Sequence, residues 1–147
     1  MSAIAIIPAR YASTRFPGKP LARETGKYLI QHVYERVQSA RRIDACLVAT
    51  DDQRIFDAVQ SFGGAAVMTR SDHPSGTDCI AEAIQSRPGT ADDIVVNVQG
   101  DEPEIDPHDL DRLIGRLEDD HACPMATLAC PFPADADPGS PSAVKVV

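Results

Sequence analysis

The sequence predicts an α/β fold, a mostly parallel, doubly wound sheet in the Rossmann-like sense, with helices on both of its faces. Short apolar runs of strand length alternate along the chain with segments of helical periodicity. Strands separated by helices of about ten to twelve residues are typical of parallel sheets that are covered on both sides. With 147 residues and 43% hydrophobic residues, the chain is long enough for one domain with its own core, and we treat residues 1–147 as a single domain.

Six apolar runs predict the strands. The first of them, AIAII, ends at Pro8 and leads into a polar loop, which is typical of a buried strand. The fourth run has the strongest strand character after the first. The predicted strands are residues 3–7, 45–49, 65–68, 94–98 and 125–130, and a run that begins at residue 143.

Four segments between these runs predict helices. In the first, Ile30, Val33, Tyr34 and Val37 recur at helical spacing. The other three have residues that cap a helix, and the second helix stops at the paired glycines 63 and 64. The predicted helices are residues 29–39, a segment that ends at Ser61, residues 78–86 and residues 108–117. The candidate N-caps are Thr50 or Asp51 for the second helix, Ser75 or Thr77 for the third, and Asp106, followed by Pro107, for the fourth.

Composition excludes several classes of partner. The net charge of −8 and the pI near 4.8 argue against a nucleic-acid surface, which requires a basic face. No run approaches the ~18 apolar residues that a membrane span needs, and we expect no membrane contact. The four cysteines lack Cys-x-x-Cys spacing, so we expect free thiols in a reducing cytoplasm rather than disulfides or a zinc site.

The loop after the first strand has the chemistry of a triphosphate site. Residues 9–21 read ARYASTRFPGKPL and hold three cations, Arg10, Arg15 and Lys19, with two hydroxyls and a glycine. In open α/β sheets, ligands bind at the carboxyl ends of strands, where this loop begins. Arginine grips phosphate oxygens with two donors, and lysine supplies a mobile charge. The Gly-x-Gly-x-x-Gly fingerprint is absent after the strand, which argues against NAD or FAD.

This loop also resembles the signature of the 3-deoxy-manno-octulosonate (Kdo) cytidylyltransferases. Three further stretches match the same family in the same order: residues 48–51 (VATD), 68–77 (MTRSDHPSGT) and 96–103 (VNVQGDEP). The resemblance runs from residue 6 to residue 147, and the family sequence continues well beyond that point. We therefore expect the chain to be the nucleotide-binding part of such an enzyme, incomplete at its C-terminus relative to the family.

The resemblance implies the roles of individual residues. Arg10, Ser13, Arg15 and Lys19 would bind the phosphates of CTP, with Lys19, Arg15 and Asp101 as the catalytic groups. Asp101 would hold Mg²⁺, the implied cofactor, because magnesium takes one or two carboxylates together with phosphate oxygens and water. Gln99 would contact the sugar acid. The implied nucleotide-binding residues are Ala9, Arg10, Ser13, Arg15, Lys19, Arg70, Ser75 and Gly76.

The implied reaction joins CTP and Kdo to give CMP-Kdo and pyrophosphate, for lipopolysaccharide synthesis, with a homodimer as the full-length form. A neighbouring transferase for a sialic-type acid, an 8-amino variant of Kdo or a hexose phosphate is a second interpretation. Sialic-type relatives read Ala-Arg-x-Gly-Ser-Lys in the first loop, whereas YASTR at residues 11–15 favours the Kdo branch. The 8-amino substrate stays open, because most sugar contacts of the family lie beyond residue 147. A third interpretation is a non-catalytic module that binds CTP.

Overall fold

The computed structural model describes residues 1–12, 16–87, 89–90, 92–141, 144 and 146. Within them one parallel sheet has the strand order β3-β2-β1-β4. The strands are β1 (Ala3–Ala9), β2 (Ala45–Thr50), β3 (Ala66–Met68) and β4 (Ile94–Asn97). The helices are α1 (Leu29–Gln38), α2 (Gln53–Ser61), α3 (Gly76–Gln85) and α4 (Pro107–Asp119), with a short 3-10 helix at Lys19–Leu21. The predicted α/β class and parallel sheet are confirmed.

The sheet separates two hydrophobic cores, which is the doubly wound arrangement that the sequence predicts. Odd-numbered residues of β1 pack into the larger core with the apolar faces of α1, α2 and α4. Ile4 and Ile6 point to the opposite face and pack against Ile80 and Ala83 of α3. Both faces of β1 are therefore buried, and this explains why its sequence is continuously apolar rather than alternating.

The structure confirms the predicted N-cap residues of α3 and α4 but not those of α2. Ser75 accepts a hydrogen bond from the Asp78 backbone N–H at the start of α3, and Asp106 does the same for His108 before α4. The prediction of Thr50 or Asp51 as the cap of α2 is wrong. Asp52 is the N-cap and accepts from the Arg54 backbone N–H, because β2 runs through Thr50 and delays the helix start.

Two predicted strands also differ from the structure. β1 does not stop at Pro8 but continues to Ala9. The ladder with β4 ends at the Ile6 and Asn97 pair, and Val98 N–H donates to Ile6 O on that side of β1. The backbone nitrogen of Pro8 faces the β4 side of β1, beyond the last pair of that ladder. The N–H that proline lacks is therefore not one that would bond to β2.

The strand predicted over residues 125–130 does not form. A cavity of about 480 Å³ lies between residues 125–128 and the outer edge of β4, so this apolar segment has no backbone ladder there. Met125 is 78% exposed, which is consistent with a segment that packs on neither core. The run that begins at residue 143 falls mainly outside the described residues, so that strand stays a prediction.

All the parallel strands point the same way, so their carboxyl ends lie along one edge of the sheet. The loops after β1, β2, β3 and β4 and the N-terminus of α3 meet at this edge. None of the described helices is long and apolar enough to cross a membrane.

Candidate active site

A cavity of about 300 Å³ lies at the carboxyl ends of β1 and β4. It brings together most of the described residues that the sequence assigned to a nucleotide site, although they come from three separate stretches of the chain. The lining residues are Pro8, Ala9, Arg10, Lys19, Pro20, Gly76, Gln99, Gly100 and Asp101. A concave site at the strand ends of an α/β sheet is where such proteins bind ligands.

Gly100 allows the two strand ends that form the cavity to approach each other. A Cβ at this position would lie 3.0 Å from the carbonyl oxygen of Pro8, closer than most side-chain contacts. It would also meet Ile30 at 3.6 Å, so the glycine lets the loop after β4 lie directly on β1 and α1. Sequence reasoning overlooked this residue, although a glycine directly after a strand is a signal for close backbone approach.

A cation and a carboxylate face each other at the mouth of the cavity. Lys19 Nζ lies 2.8 Å from Asp101 Oδ2, and the two side chains are 43% and 55% exposed. Lys19 begins the 3-10 helix, whose preceding residue Gly18 has a left-handed backbone with φ of 71°. The turn at Gly18 aims Lys19 back toward the sheet edge. The site therefore offers one positive and one negative group to an incoming ligand.

Arg10 lines the cavity and also joins the loops after three strands. Its guanidinium donates to the carbonyl oxygens of His73, at 3.1 Å, and Ser71, at 3.3 Å. Its Nε lies 3.5 Å from the Asp51 carboxylate, which is 10% exposed. Arg10 thus fastens the end of β1 to the end of β2 and to the loop that leads into α3.

The loop between β3 and α3 places its predicted residues differently. Arg70 forms a two-point ion pair with Asp72, which lowers the pKa of that carboxyl, and neither side chain lines the cavity. The hydroxyl of Ser75 binds the first turn of α3 and is also outside the lining. Gly76 does line the cavity, and a Cβ added there would lie 3.3 Å from the Pro8 ring. The nucleotide roles of Arg70 and Ser75 stay predictions.

His73 and Glu82 secure the same loop to α3. A ring nitrogen of His73 bonds the Glu82 carboxylate, which also accepts the Arg70 backbone N–H at 3.0 Å. The hydrogen bond from His73, and to a lesser extent the one from the Arg70 backbone, holds the pKa of Glu82 below its usual value. His73 is thereby committed to a structural contact rather than placed as a base in the cavity.

Ser13 and Arg15 lie outside the described residues, and their roles stay predictions. Among the described residues no group of three or more His, Cys, Asp or Glu side chains is placed to hold a metal ion. A lone carboxylate such as Asp101 suits magnesium, which completes its shell with water and with substrate phosphate oxygens. A magnesium ion at such a site would take most of its ligands from the nucleotide phosphates and from water.

A comparison with known families agrees with this geometry. The cytidylyltransferase family model matches residues 4–147. The chain belongs to the cytidylyltransferase family.

Individual members of the family are close in sequence. The chain is 54% identical over 147 residues to a 3-deoxy-manno-octulosonate cytidylyltransferase of Syntrophotalea carbinolica, covering 100% of this chain and 58% of that relative. It is 47% identical over 154 residues to an 8-amino-3,8-dideoxy-manno-octulosonate cytidylyltransferase of Shewanella amazonensis, covering 100% of this chain and 60% of the relative. The chain therefore spans less than two thirds of the length of these relatives.

The fold matches a solved relative. The structure of CMP:2-keto-3-deoxy-manno-octonic acid synthetase complexed with CTP superposes with a TM-score of 0.79 and 49% identity. The match covers 84% of this chain and 50% of that protein. The fold that the resemblance implied is thus confirmed for this chain.

Proposed function

We propose that this protein is a cytidylyltransferase that transfers the CMP group of CTP to Kdo, giving CMP-Kdo and pyrophosphate. The observation that carries the proposal is the cavity in which Lys19, Asp101 and Gln99 meet at the ends of β1 and β4. The 54% identity to a Kdo cytidylyltransferase over the whole chain supports the same substrate pair.

In the proposed reaction, the oxygen of the anomeric hydroxyl of Kdo attacks the α-phosphorus of CTP, and the hydroxyl proton is released to water. The bond from that phosphorus to the bridging oxygen breaks, and pyrophosphate leaves with the electron pair. Negative charge therefore grows on the leaving group, and Lys19, together with Arg15, would neutralise it more strongly in the transition state than in the ground state. Asp101 would hold magnesium, which supplies charge neutralisation and orientation at the phosphates when it is bound.

Other residues of the cavity would position the two substrates. The Gln99 amide donates to Asn97 Oδ1 at 2.8 Å, which leaves its carbonyl oxygen to accept a hydrogen bond from a sugar hydroxyl. Gly76 presents the first turn of α3, where free backbone N–H groups attract polar or anionic atoms of the nucleotide. Arg10 would keep this turn in place through the carbonyl groups that it binds.

We further propose that the full-length enzyme acts as a homodimer in the cytoplasm and supplies lipopolysaccharide synthesis. Kdo is a sugar acid of lipopolysaccharide, so the proposed product would serve that pathway. The free thiols Cys46 and Cys79 are buried in the cores and fit a reducing compartment. The net charge of −8 gives little support to a nucleic-acid partner.

A second candidate is a module that binds CTP without turning it over. The cavity residues Lys19, Arg10 and Gly76 would bind the nucleotide in either case. The 8-amino sugar is the other open alternative, since a relative of that name is 47% identical.

Calorimetry with CTP, with and without magnesium and with ATP as the matched control, tests the nucleotide site. We expect magnesium-dependent binding that is selective for CTP, and binding of ATP with equal affinity would contradict the proposal. Pyrophosphate release with Kdo and with 8-amino-Kdo in parallel then separates the substrates. Binding without release from either sugar would favour the non-catalytic module.

A further inference from the structure

Outside the cavity, an exposed arginine lies on an aromatic ring of the loop that follows β1. The guanidinium carbon of Arg54 is 3.4 Å from the centroid of the Tyr11 ring. Arg54 belongs to the first turn of α2, and its side chain is 58% exposed. A guanidinium over a ring face at this distance is attracted by the ring's quadrupole.

The arginine is held in this orientation by the cap of its own helix. Arg54 Nε and Nη2 bind the two carboxylate oxygens of Asp52 at 2.9 and 2.7 Å. The same carboxylate accepts the Arg54 backbone N–H, and the Asp52 backbone N–H donates to Thr50 Oγ1 at 3.2 Å. Since β2 and α2 fix Asp52, they also fix the plane of the guanidinium.

The ring in turn contacts the residue that precedes the proposed catalytic lysine. The hydroxyl end of Tyr11 lies so close to Gly18 that a Cβ there would be 2.9 Å from Tyr11 Cε2. Gly18 N–H also donates to the Tyr11 carbonyl oxygen at 2.9 Å, which joins the two ends of this loop. Lys19 follows directly, with its ammonium on Asp101.

We propose that Arg54 is a positioning residue for nucleotide binding: it clamps Tyr11, and through Tyr11 and Gly18 it holds the loop that presents Lys19 to the triphosphate. The proposal rests on the proposed function for its ligand. It assigns no contact between Arg54 and substrate, because Arg54 does not line the cavity. No sequence motif pointed to this residue, since it lies on a different strand–helix unit from the loop that it supports.

The first test needs no ligand. Amide hydrogen exchange at Gly18 reports the bond to Tyr11, and exchange at Val48, whose N–H donates to Ala65 O in the sheet, reports global opening. Arg54→Ala should accelerate exchange at Gly18 roughly fivefold, which corresponds to about 1 kcal/mol for an exposed cation–π contact. Exchange at Val48 should stay within twofold. Equal acceleration at both amides, or none at Gly18, would overturn the proposal.

The matched control is Arg112→Ala. Arg112 is another exposed arginine with an acidic partner on its own helix, Asp109 at 3.2 Å. It should change neither the exchange at Gly18 nor the affinity for CTP.

The second test is a double-mutant cycle on the affinity for magnesium–CTP, measured by calorimetry. Arg54→Ala should raise the dissociation constant roughly fivefold in the parent protein and should have no effect in the Tyr11→Leu background. An equal effect in both backgrounds would mean that Arg54 acts directly on the triphosphate, and the proposal would fail. If the parent protein binds no CTP, the proposed function fails instead, and the exchange at Gly18 still decides the role of Arg54.

Discussion

Lys19 and Asp101 form an ion pair across the mouth of the cavity, with Nζ 2.8 Å from Oδ2. The two residues are 82 positions apart in the sequence, and one follows β1 while the other follows β4. Because both side chains are about half exposed, the pair contributes no more than about 1 kcal/mol to stability. In the proposed function, each group would therefore exchange its partner for a ligand at small cost, Lys19 for a phosphate and Asp101 for a metal ion.

The first prediction follows from this pair. Lys19→Ala should weaken CTP binding at least tenfold (about 1.4 kcal/mol) while shifting the free energy of unfolding by less than about 1 kcal/mol. Asp101→Asn should remove the dependence of CTP binding on magnesium. Calorimetry and chemical denaturation measure the two effects. The matched control is Lys27→Ala, which breaks a similar exposed pair with Glu35 at 2.7 Å and should leave CTP binding unchanged. Parent-like CTP binding by Lys19→Ala would remove its phosphate role.

The second prediction concerns the turn at Gly18. Gly18→Ala places a Cβ 2.9 Å from the Tyr11 ring on a backbone with φ of 71°. Gly26→Ala meets a similar backbone penalty, since its φ is 87°, but no atom lies within 4 Å of the new Cβ. Gly26→Ala, the control, should lower the unfolding free energy by about 1 kcal/mol, and Gly18→Ala should lower it by more. Only Gly18→Ala should also weaken CTP binding, and equal losses in the two variants would show that the ring contact is unimportant.

The third prediction separates the two roles of Ser75. Its hydroxyl caps α3 and donates to the Asp78 carboxylate, so Ser75→Ala should cost about 1 kcal/mol of unfolding free energy. Ser75→Asp keeps a capping oxygen but sets a second carboxylate beside Asp78, so it should retain only part of that stability while staying folded. If the hydroxyl also binds the nucleotide, Ser75→Asp should lose affinity for CTP despite its intact fold, because a carboxylate repels phosphate. Thermal unfolding and calorimetry on the same samples provide the two measurements. Unchanged affinity in Ser75→Asp would leave Ser75 with the structural role alone.

The fourth prediction is a dependence of stability on pH. Hydrogen bonds from His73 and from the Arg70 backbone lower the pKa of Glu82 from 4.5. The folded protein therefore prefers ionised Glu82 more than the unfolded chain does. The resulting stabilisation is present above pH 4.5 and is lost as the pH falls through the folded-state pKa. Glu82→Gln should flatten the acid limb of the stability curve, as measured by urea denaturation at a series of pH values. An acid limb as steep as that of the parent protein would contradict this account.

The local signals in the sequence predicted much of the fold. The apolar run before Pro8, the cap at Ser75 and the Asp106-Pro107 start each restrict the backbone within a few residues. The polar loops after the strands could also be assigned to one edge of the sheet before the strand order was known. Parallel strands separated by helices have few arrangements, and all of them bring these loops together.

The failures came where a residue depends on a distant neighbour. Residues 125–130 are apolar enough for a strand, but a strand also needs a backbone partner, and a cavity separates this segment from β4. The phosphate role of Arg10 stays a prediction, but nothing in the sequence indicated that its guanidinium also donates to the carbonyl oxygens of Ser71 and His73. Charge can be read from the sequence, whereas the hydrogen-bond partner cannot.

Short-range chemistry in the chain therefore determines which segments form strands and helices and which loops carry cations, hydroxyls and carboxylates. Tertiary structure alone decides that Lys19 meets Asp101, that Gly100 lies on Pro8 and that Arg54 covers Tyr11. The physical reason is one of range. Backbone preferences and helix caps act over a few bonds, while ion pairs, close backbone approaches and cation–π contacts form between segments that only the folded sheet brings together.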